Sequence, residues 1–293
     1  MSAGRMRRAV ALAAGLAAAA APAASAEAFR IGVRPDARPF VFQRADGSYA
    51  GFLYDLCRAA VAGAGIADAA VELVPVLAGD RFERLDDPAA PLDLLCDPTT
   101  ITKERAERRA FTPIVFIASS VSLVRDRAVL LPAAEAPPGC AVGDARQVAL
   151  VGWVDKTTSD ATVRAMTAPA PATPGEVALC PVPFARHDEG VRAICAADAR
   201  LSFYVGDADI LSAQLDEMRR EGLPCRVSFS TRAARPEPYA LVVRDRDGLP
   251  QRIAAGVYAF FRDGGAERSF AANFGARNKS VALAALFALY RLP

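Results

Sequence analysis

The sequence places polar side chains where a predicted strand ends and a helix begins. The run TTITKER (residues 99–105) follows the apolar segment 92–96 and offers hydroxyls, backbone N–H groups and the guanidinium of Arg105. These groups suit a carboxylate, because arginine binds it with two parallel hydrogen bonds and a helix N-terminus adds a favourable dipole. We therefore predict a carboxylate-binding role for Thr100 and Arg105.

Two later segments repeat this arrangement. Thr157 and Thr158 stand at the head of a predicted helix, and Asp207 follows the predicted strand 201–205. Ligands of open α/β sheets bind at the carboxyl ends of the strands, where Asp207 would suit an ammonium group. Each feature also has an ordinary interpretation: threonine as a helix cap, arginine on a solvated helix, aspartate in a turn.

Strands alternate with helices along the chain, which predicts mostly parallel sheet with helices on both faces. The predicted strands are 29–33, 70–77, 92–96, 115–124, 148–154, 177–182 and 201–205. The predicted helices are 51–62, 81–85, 102–109, 157–166, 188–197, 250–262 and 267–274. The pattern restarts near residue 125, so we expect a second α/β unit to begin there.

Composition and the N-terminus indicate an exported, soluble protein. The 293 residues carry 35 Lys and Arg against 33 Asp and Glu, with no basic patch that would indicate a nucleic-acid partner. Residues 1–26 have the features of a signal peptide: arginines within 5–8, an apolar core over 9–21 and small residues at 24–26. The apolar core is shorter than the roughly 20 residues that span a membrane.

Export predicts that the six cysteines form disulfides, because the compartment outside the cytoplasm is oxidising. A metal site is the alternative, but the chain has no Cys-x-x-Cys pair. Its single histidine, His187, lies several residues from the nearest cysteine. We expect neither a metal nor any other cofactor.

In their order, these segments resemble the polar amino-acid branch of the periplasmic solute-binding proteins that feed ABC transporters. The resembling pieces are FRIGVRPDARPFVF, DGSYAGFLYDLC, LDLLCDPTTITKERAERRAFTPIVF, VGWVDKTTSDATVRAM, HDEGVRAICAADARLSFYVGDADIL and PEPYALVVRDRDGLPQRI. The most specific parts are the TTITKER…FTP block and the VGD after the HDEG helix. Together the pieces span nearly the whole mature chain.

The resemblance implies an α/β, bilobal periplasmic-binding-protein fold (type II) with two lobes joined by hinge strands. Lobe 1 would comprise residues 27–120 and 238–293, and lobe 2 residues 121–237. It also implies a role for each site residue. Arg105 would bind the ligand α-carboxylate with Thr100 and Thr158, and Asp207 would pair with the α-ammonium group.

The chain departs from these relatives beside two of the predicted ligand groups. Lys156 precedes the second threonine pair where the relatives usually carry glycine, so it could crowd the loop or add a positive charge. Asp97 and Pro98 replace small residues before the first threonine pair.

Glutamate- and aspartate-binding relatives resemble this chain at Arg34, Arg81 and His187. Two guanidiniums and an imidazole would neutralise a second carboxylate, which favours an acidic ligand over a neutral polar amino acid. The competing interpretation is that Arg34 pairs with Asp36, that Arg81 lies at the surface and that His187 is structural.

The resemblance thus predicts a monomeric, non-enzymatic periplasmic protein that delivers an amino acid to an ABC transporter permease. One alternative is an enzyme like the cyclohexadienyl dehydratases, which would need a general acid such as Glu189 or His187. Another is an exported module that senses amino acids.

The implied lobe boundaries leave Cys57 and Cys96 as the only cysteines of lobe 1, so we predict a bridge between them. Sequence alone allows three pairings for the other four cysteines: Cys140, Cys180, Cys195 and Cys225. We favour Cys180–Cys195, because a strand and the helix that follows it are neighbours in α/β units.

Overall fold

The structure is a computed structural model that describes residues 28–168, 173 and 175–292. The predicted signal peptide, residues 1–26, lies outside the described residues. Among the described helices, none combines the length and the apolar character that crossing a membrane would need.

The described residues form thirteen strands and nine α-helices. The strands are β1 (Phe29–Val33), β2 (Asp36–Ala37), β3 (Val41–Gln43), β4 (Tyr49–Ala50), β5 (Val71–Pro75), β6 (Leu94–Thr100), β7 (Ala110–Phe111), β8 (Phe116–Arg125), β9 (Leu131–Pro132), β10 (Gln147–Val154), β11 (Val177–Phe184), β12 (Leu201–Asp207) and β13 (Val227–Val243). The helices are α1 (Phe52–Gly63), α2 (Arg81–Leu85), α3 (Lys103–Ala106), α4 (Ser159–Thr167), α5 (His187–Cys195), α6 (Ala208–Arg220), α7 (Leu249–Arg262), α8 (Gly265–Phe274) and α9 (Val281–Leu289).

Ten of the strands belong to one sheet, whose main path runs β11-β10-β12-β8-β13-β6-β1-β5. Its two outer parts are parallel: β1 pairs with β5 and β6, and β10 pairs with β11 and β12. Between them, β8 and β13 pair antiparallel with each other and with their outer neighbours. The sheet therefore consists of two parallel units joined by two long crossing strands.

Each parallel unit has its own hydrophobic core. The larger core includes Ile31 and Leu94, and the second includes Val148 and Tyr204. Smaller apolar clusters cover the opposite sheet faces. We call the unit around the larger core the first lobe and the other the second lobe; β8 and β13 contribute to both cores. The boundaries at residues 120 and 237 stay a prediction.

The predicted alternation of strands and helices is largely confirmed, and β1 and α2 have the predicted bounds. The third predicted strand instead extends to Thr100 as β6, because β13 pairs with it there. The helix predicted after it is correspondingly shorter. Among the longer elements, the helices α6 and α9 and the strand β13 have no counterpart in the predicted set.

All six cysteines form disulfides, and the predicted Cys57–Cys96 bridge is confirmed. The favoured Cys180–Cys195 pairing is wrong, because Cys180 pairs with Cys140 and Cys195 pairs with Cys225. All four cysteines pack in the second core, so adjacency along the chain does not decide which sulfurs meet. Cys140 lies in the loop before β10, and Cys225 lies in the loop before β13.

Candidate ligand-binding site

A row of polar side chains crosses four neighbouring strands where the two lobes meet. Asp207 ends β12 and lies opposite Ser120 of β8. Glu237 and Tyr239 lie two residues apart on β13, and Tyr239 is opposite Thr100 at the end of β6. These side chains line a cavity of about 40 Å³. Strand-to-helix turns of both lobes surround it.

The cavity brings together every residue that the sequence predicts for the site: Arg34, Arg81, Thr100, Arg105, Thr158, His187 and Asp207. Contact of these residues with a ligand stays a prediction. Glu237, Tyr239 and Ser120 also line the cavity, although the sequence reasoning assigned them no role.

Arg105 has a guanidinium that forms no ion pair among the described residues. The side chain of Thr102 caps α3 by accepting the Arg105 N–H (3.2 Å), and Arg105 Nη1 donates to the backbone oxygen of Thr100 (2.9 Å). Burial lowers the pKa of Arg105 although nearby carboxylates oppose this effect. The group remains a cation at neutral pH. It is thus a half-buried cation that could bind a carboxylate at the cavity wall.

Glu237 is a buried carboxylate that joins groups from both lobes. Its Oε2 accepts hydrogen bonds from the hydroxyl of Thr100, in the first lobe, and from Thr158 Oγ1 (2.9 Å), in the second. Each threonine hydroxyl has only one proton to donate, and Glu237 receives both. The structure therefore directs Thr100 and Thr158 to Glu237 instead of leaving both hydroxyls free to donate to a ligand carboxylate. The feature of the sequence that could have indicated this role of Glu237 is an acid two residues before Tyr239 in an otherwise apolar segment.

Asp207 forms the N-terminal cap of α6. Its Oδ1 accepts the N–H groups of Asp209 (3.0 Å) and Ile210 (3.4 Å), while Oδ2 accepts the Tyr239 hydroxyl. Burial and the negative charge of Asp209 raise the pKa of Asp207 to about 8. Without a cation beside it, Asp207 is therefore mostly protonated at pH 7, and an ammonium group would favour its charged form.

Arg34 and Arg81 belong to a buried ion-pair network. Arg34 donates to Asp36 from Nε (2.9 Å) and Nη2 (3.0 Å), and its Nη1 lies 3.5 Å from Asp97. Arg81 Nε lies 2.8 Å from Asp97 Oδ2, close enough for an ion pair but outside hydrogen-bonding geometry. Burial opposes the charge on Arg34, yet Asp36 and Asp97 raise its pKa; burial lowers that of Arg81 to about 10.

These pairs correct the reasoning that predicted an acidic ligand. An acidic ligand would be favoured if Arg34 and Arg81 lacked partners, but Asp36 and Asp97 balance their charges. The competing interpretation is confirmed for Arg34, while the proposed surface position of Arg81 is wrong, because its side chain is 3% exposed.

Without a ligand anion beside it, His187 is neutral at pH 7. It begins α5, is buried, and its backbone N–H contacts Asp36 Oδ2 of the first lobe at 3.4 Å. Its Nδ1 lies 3.4 Å from the Tyr204 hydroxyl. Burial and the nearby Arg34 lower the pKa of His187 to about 4. This burial and the lowered pKa argue against the predicted cationic role of the imidazole, which stays a prediction.

Lys156, the first departure from the relatives, lies outside the cavity. Its φ of 56° is in the left-handed region, which accounts for the glycine usual at this position. Its Nζ lies 3.0 Å from Glu83 Oε1, so the extra charge forms an exposed ion pair between the lobes. Among the described residues, no group of three or more His, Cys, Asp or Glu side chains could hold a metal ion.

A two-lobed α/β fold with a polar cavity between the lobes defines the class of periplasmic solute-binding proteins. Residues 29–276 match the model of the bacterial extracellular solute-binding proteins, family 3. The chain belongs to this family. A comparison with curated protein sequences finds no match.

Solved structures confirm the bilobal periplasmic-binding-protein fold. An ancestral arginine-binding protein bound to glutamine is 21% identical over 85% of this chain and 99% of its own, with a TM-score of 0.65. An ABC uptake transporter substrate-binding protein from Streptococcus pneumoniae with bound histidine is 19% identical over 86% and 94%, with a TM-score of 0.65. The ancestral amino acid-binding protein AncCDT-1, a precursor of cyclohexadienyl dehydratase, is 19% identical over 84% and 95%, with a TM-score of 0.62.

Proposed function

We propose that this protein captures an amino acid between its lobes in the periplasm and, as a monomer, delivers it to an ABC transporter permease. The observation that carries the proposal is the pair of opposite groups at one cavity. Arg105 offers a cation that has no carboxylate partner among the described residues, and Asp207 offers an acid at the end of β12. The α-carboxylate and α-ammonium groups of an amino acid are complementary to these two side chains.

The similar structures support the choice of ligand class. The relatives described above were solved with glutamine and histidine, and one is named as part of an ABC uptake transporter. Export rests on the predicted signal peptide at residues 1–26, which is followed by a chain with three disulfides.

Catalysis of the dehydratase type is the second candidate, because AncCDT-1 shares the fold. It would require a general acid at the cavity. His187 is neutral at pH 7, since its pKa is about 4, and Glu189 is exposed and does not line the cavity. The two predicted general acids therefore give this function little support. Asp207 is a protonated acid that does line the cavity, but the proposal assigns it to the ligand ammonium group, so we favour capture without turnover.

The test is a thermal-shift screen of the mature protein against the standard L-amino acids, followed by calorimetry on those that stabilise it. A ligand at a hundredfold excess over its Kd stabilises by about 2.7 kcal/mol. Arg105→Ala should then weaken binding by about 2 kcal/mol, roughly 30-fold in Kd. Arg105→Lys should also lose affinity, because an ammonium group cannot reproduce the two-pronged contact.

Arg108→Ala is the matched control. Arg108 lies three positions further along the chain, is exposed, and forms no ion pair among the described residues. The Arg108→Ala variant should bind the ligand with wild-type affinity. Equal affinity of Arg105→Ala and Arg108→Ala would remove the assignment of the carboxylate anchor. An absence of any stabilising amino acid would refute the proposed function.

A further inference from the structure

Buried charges around the cavity balance one another. Asp207 is mostly protonated at neutral pH, which leaves equal numbers of cations and anions. The cations are Arg34, Arg81 and Arg105, and the anions are Asp36, Asp97 and Glu237. An unpaired charge in a buried space is strongly unfavourable. A zwitterionic ligand preserves the balance, whereas a dicarboxylic amino acid would add an anion without a partner.

Among the described residues, Glu237 is the one of these anions that has no cation as a partner. Its side chain accepts hydroxyl hydrogen bonds at Oε2, and no Lys, Arg or His nitrogen of the described residues lies within 4.0 Å of it. Hydroxyl groups stabilise a carboxylate but do not neutralise it. Oε1 takes part in none of the hydrogen bonds formed by the described residues. This buried acid, 6% exposed, is therefore suited to receive a positive group at the cavity.

Ser120 provides a second buried acceptor in the same row. Its Oγ is buried and has no hydrogen-bond partner among the described residues. Ser120 lies directly opposite Asp207 on β12 and opposite Arg235 on β13, which makes Glu237 its diagonal neighbour. Side chains at such positions lie on one face within reach of each other. An ammonium group has three protons to donate, and this row offers acceptors on Asp207, Ser120 and Glu237.

We infer that Glu237 determines the specificity of the site: with Asp207 and Ser120 it receives the ligand ammonium group, and it excludes amino acids that carry a second carboxylate. The inference rests on the proposed function, because it names the charge class of the amino acid that this cavity takes. Neutral amino acids fit the charge balance while Asp207 keeps its proton. When the ammonium group ionises Asp207, the site holds one more anion, which disfavours a second carboxylate further and suits a basic amino acid.

The experiment compares glutamine with glutamate, and asparagine with aspartate, by calorimetry at about pH 7. Each pair has nearly the same shape and differs by one charge. The wild type should bind each amide at least tenfold more tightly than its acid. Glu237→Gln keeps the size and an acceptor for the threonine hydroxyls but removes the charge. It should weaken the amides about tenfold and leave the acids unchanged or tighter, so that the preference disappears.

Glu104→Gln is the matched control, because it removes the same charge from an exposed position on α3 that does not line the cavity. It should keep the wild-type preference. If Glu237→Gln does not fold, Ser120→Ala provides a second test, because it removes a hydroxyl that has no hydrogen-bond partner among the described residues. It should weaken the amides severalfold without changing the melting temperature.

The outcomes separate the two proposals. Wild-type preference for glutamate or aspartate would overturn the inference and leave amino-acid binding intact. An unchanged preference in folded Glu237→Gln, or unchanged amide binding in Ser120→Ala, would also overturn it. If the wild type binds none of the standard amino acids, the proposed function itself fails, and the inference fails with it.

Discussion

Replacing Asp97 with asparagine would remove the carboxylate that two buried guanidiniums share. The Asp97 side chain is fully buried, and those of Arg34 and Arg81 are 3% exposed. After the substitution, Asp36 would remain as the only carboxylate of the network against two cations. Removing one partner of a buried pair costs about 3–5 kcal/mol, because the remaining charge is left uncompensated. We expect Asp97→Asn to lose this much free energy of unfolding.

Asp86→Asn supplies the comparison, because Asp86 also pairs with an arginine. Its contact with Arg109 is bidentate at 2.8 Å, yet the Asp86 side chain is 61% exposed. Exposed pairs contribute about 0–1 kcal/mol, so this variant should unfold almost like the wild type. Urea unfolding of the ligand-free proteins at about pH 7 measures both variants.

Asp97→Asn should also change the preference between ligands. With Asp97 gone, one guanidinium at the cavity lacks a counterion, which is the situation that the sequence reasoning assumed. Glutamate should then gain affinity relative to glutamine in Asp97→Asn, but not in Asp86→Asn. Loss of stability no larger than in the exposed control would refute this account of how charge is balanced at the site.

The remaining predictions concern titration and cross-links. Burial raises the pKa of Asp207 from 3.8 to about 8, so between these values the native protein holds a proton that the unfolded chain releases. Its stability should therefore fall as the pH rises through this window, and urea unfolding at several pH values should show a shallower decline in Asp207→Asn. Non-reducing peptide mapping should recover Cys195 linked to Cys225, and detection of a Cys180–Cys195 peptide would contradict the structure. Replacing Cys195 and Cys225 with alanine should cost roughly 3.5 kcal/mol in urea unfolding, from the chain entropy of a loop with a sequence separation of 30.

The predicted residues lie at one cavity because their positions follow from strand order and direction. Thr100 and Asp207 both end strands that run toward the meeting point of the lobes, and Thr158 begins a helix after another such strand. Apolar periodicity locates these strands in the sequence, although the predicted strands end at residues 96 and 205, short of Thr100 and Asp207. That these residues lie at one cavity could therefore be predicted from the sequence.

The ion pairs could not be predicted from the sequence in the same way. Asp97 lies 16 positions along the chain from Arg81, and nothing in local sequence shows that their side chains meet in the core. Asp97 also stands where the relatives have small residues, so the resemblance pointed away from a carboxylate. The sequence therefore indicated more cations than the ligand α-carboxylate requires. In the folded protein, ion pairs with aspartates remove this excess.

Glu237 shows why the polar groups of the site could not be assigned singly from the sequence. Thr100 comes from the first lobe, Thr158 from the second, and Glu237 from a strand that serves both. Taken separately, each threonine is a hydroxyl that could donate to a ligand carboxylate. Only the pairing of β13 with β6 and β8 brings the acid between them, so that both protons go to Glu237. The ligand carboxylate is then left to Arg105, while the unneutralised charge of Glu237 faces the ligand's ammonium group.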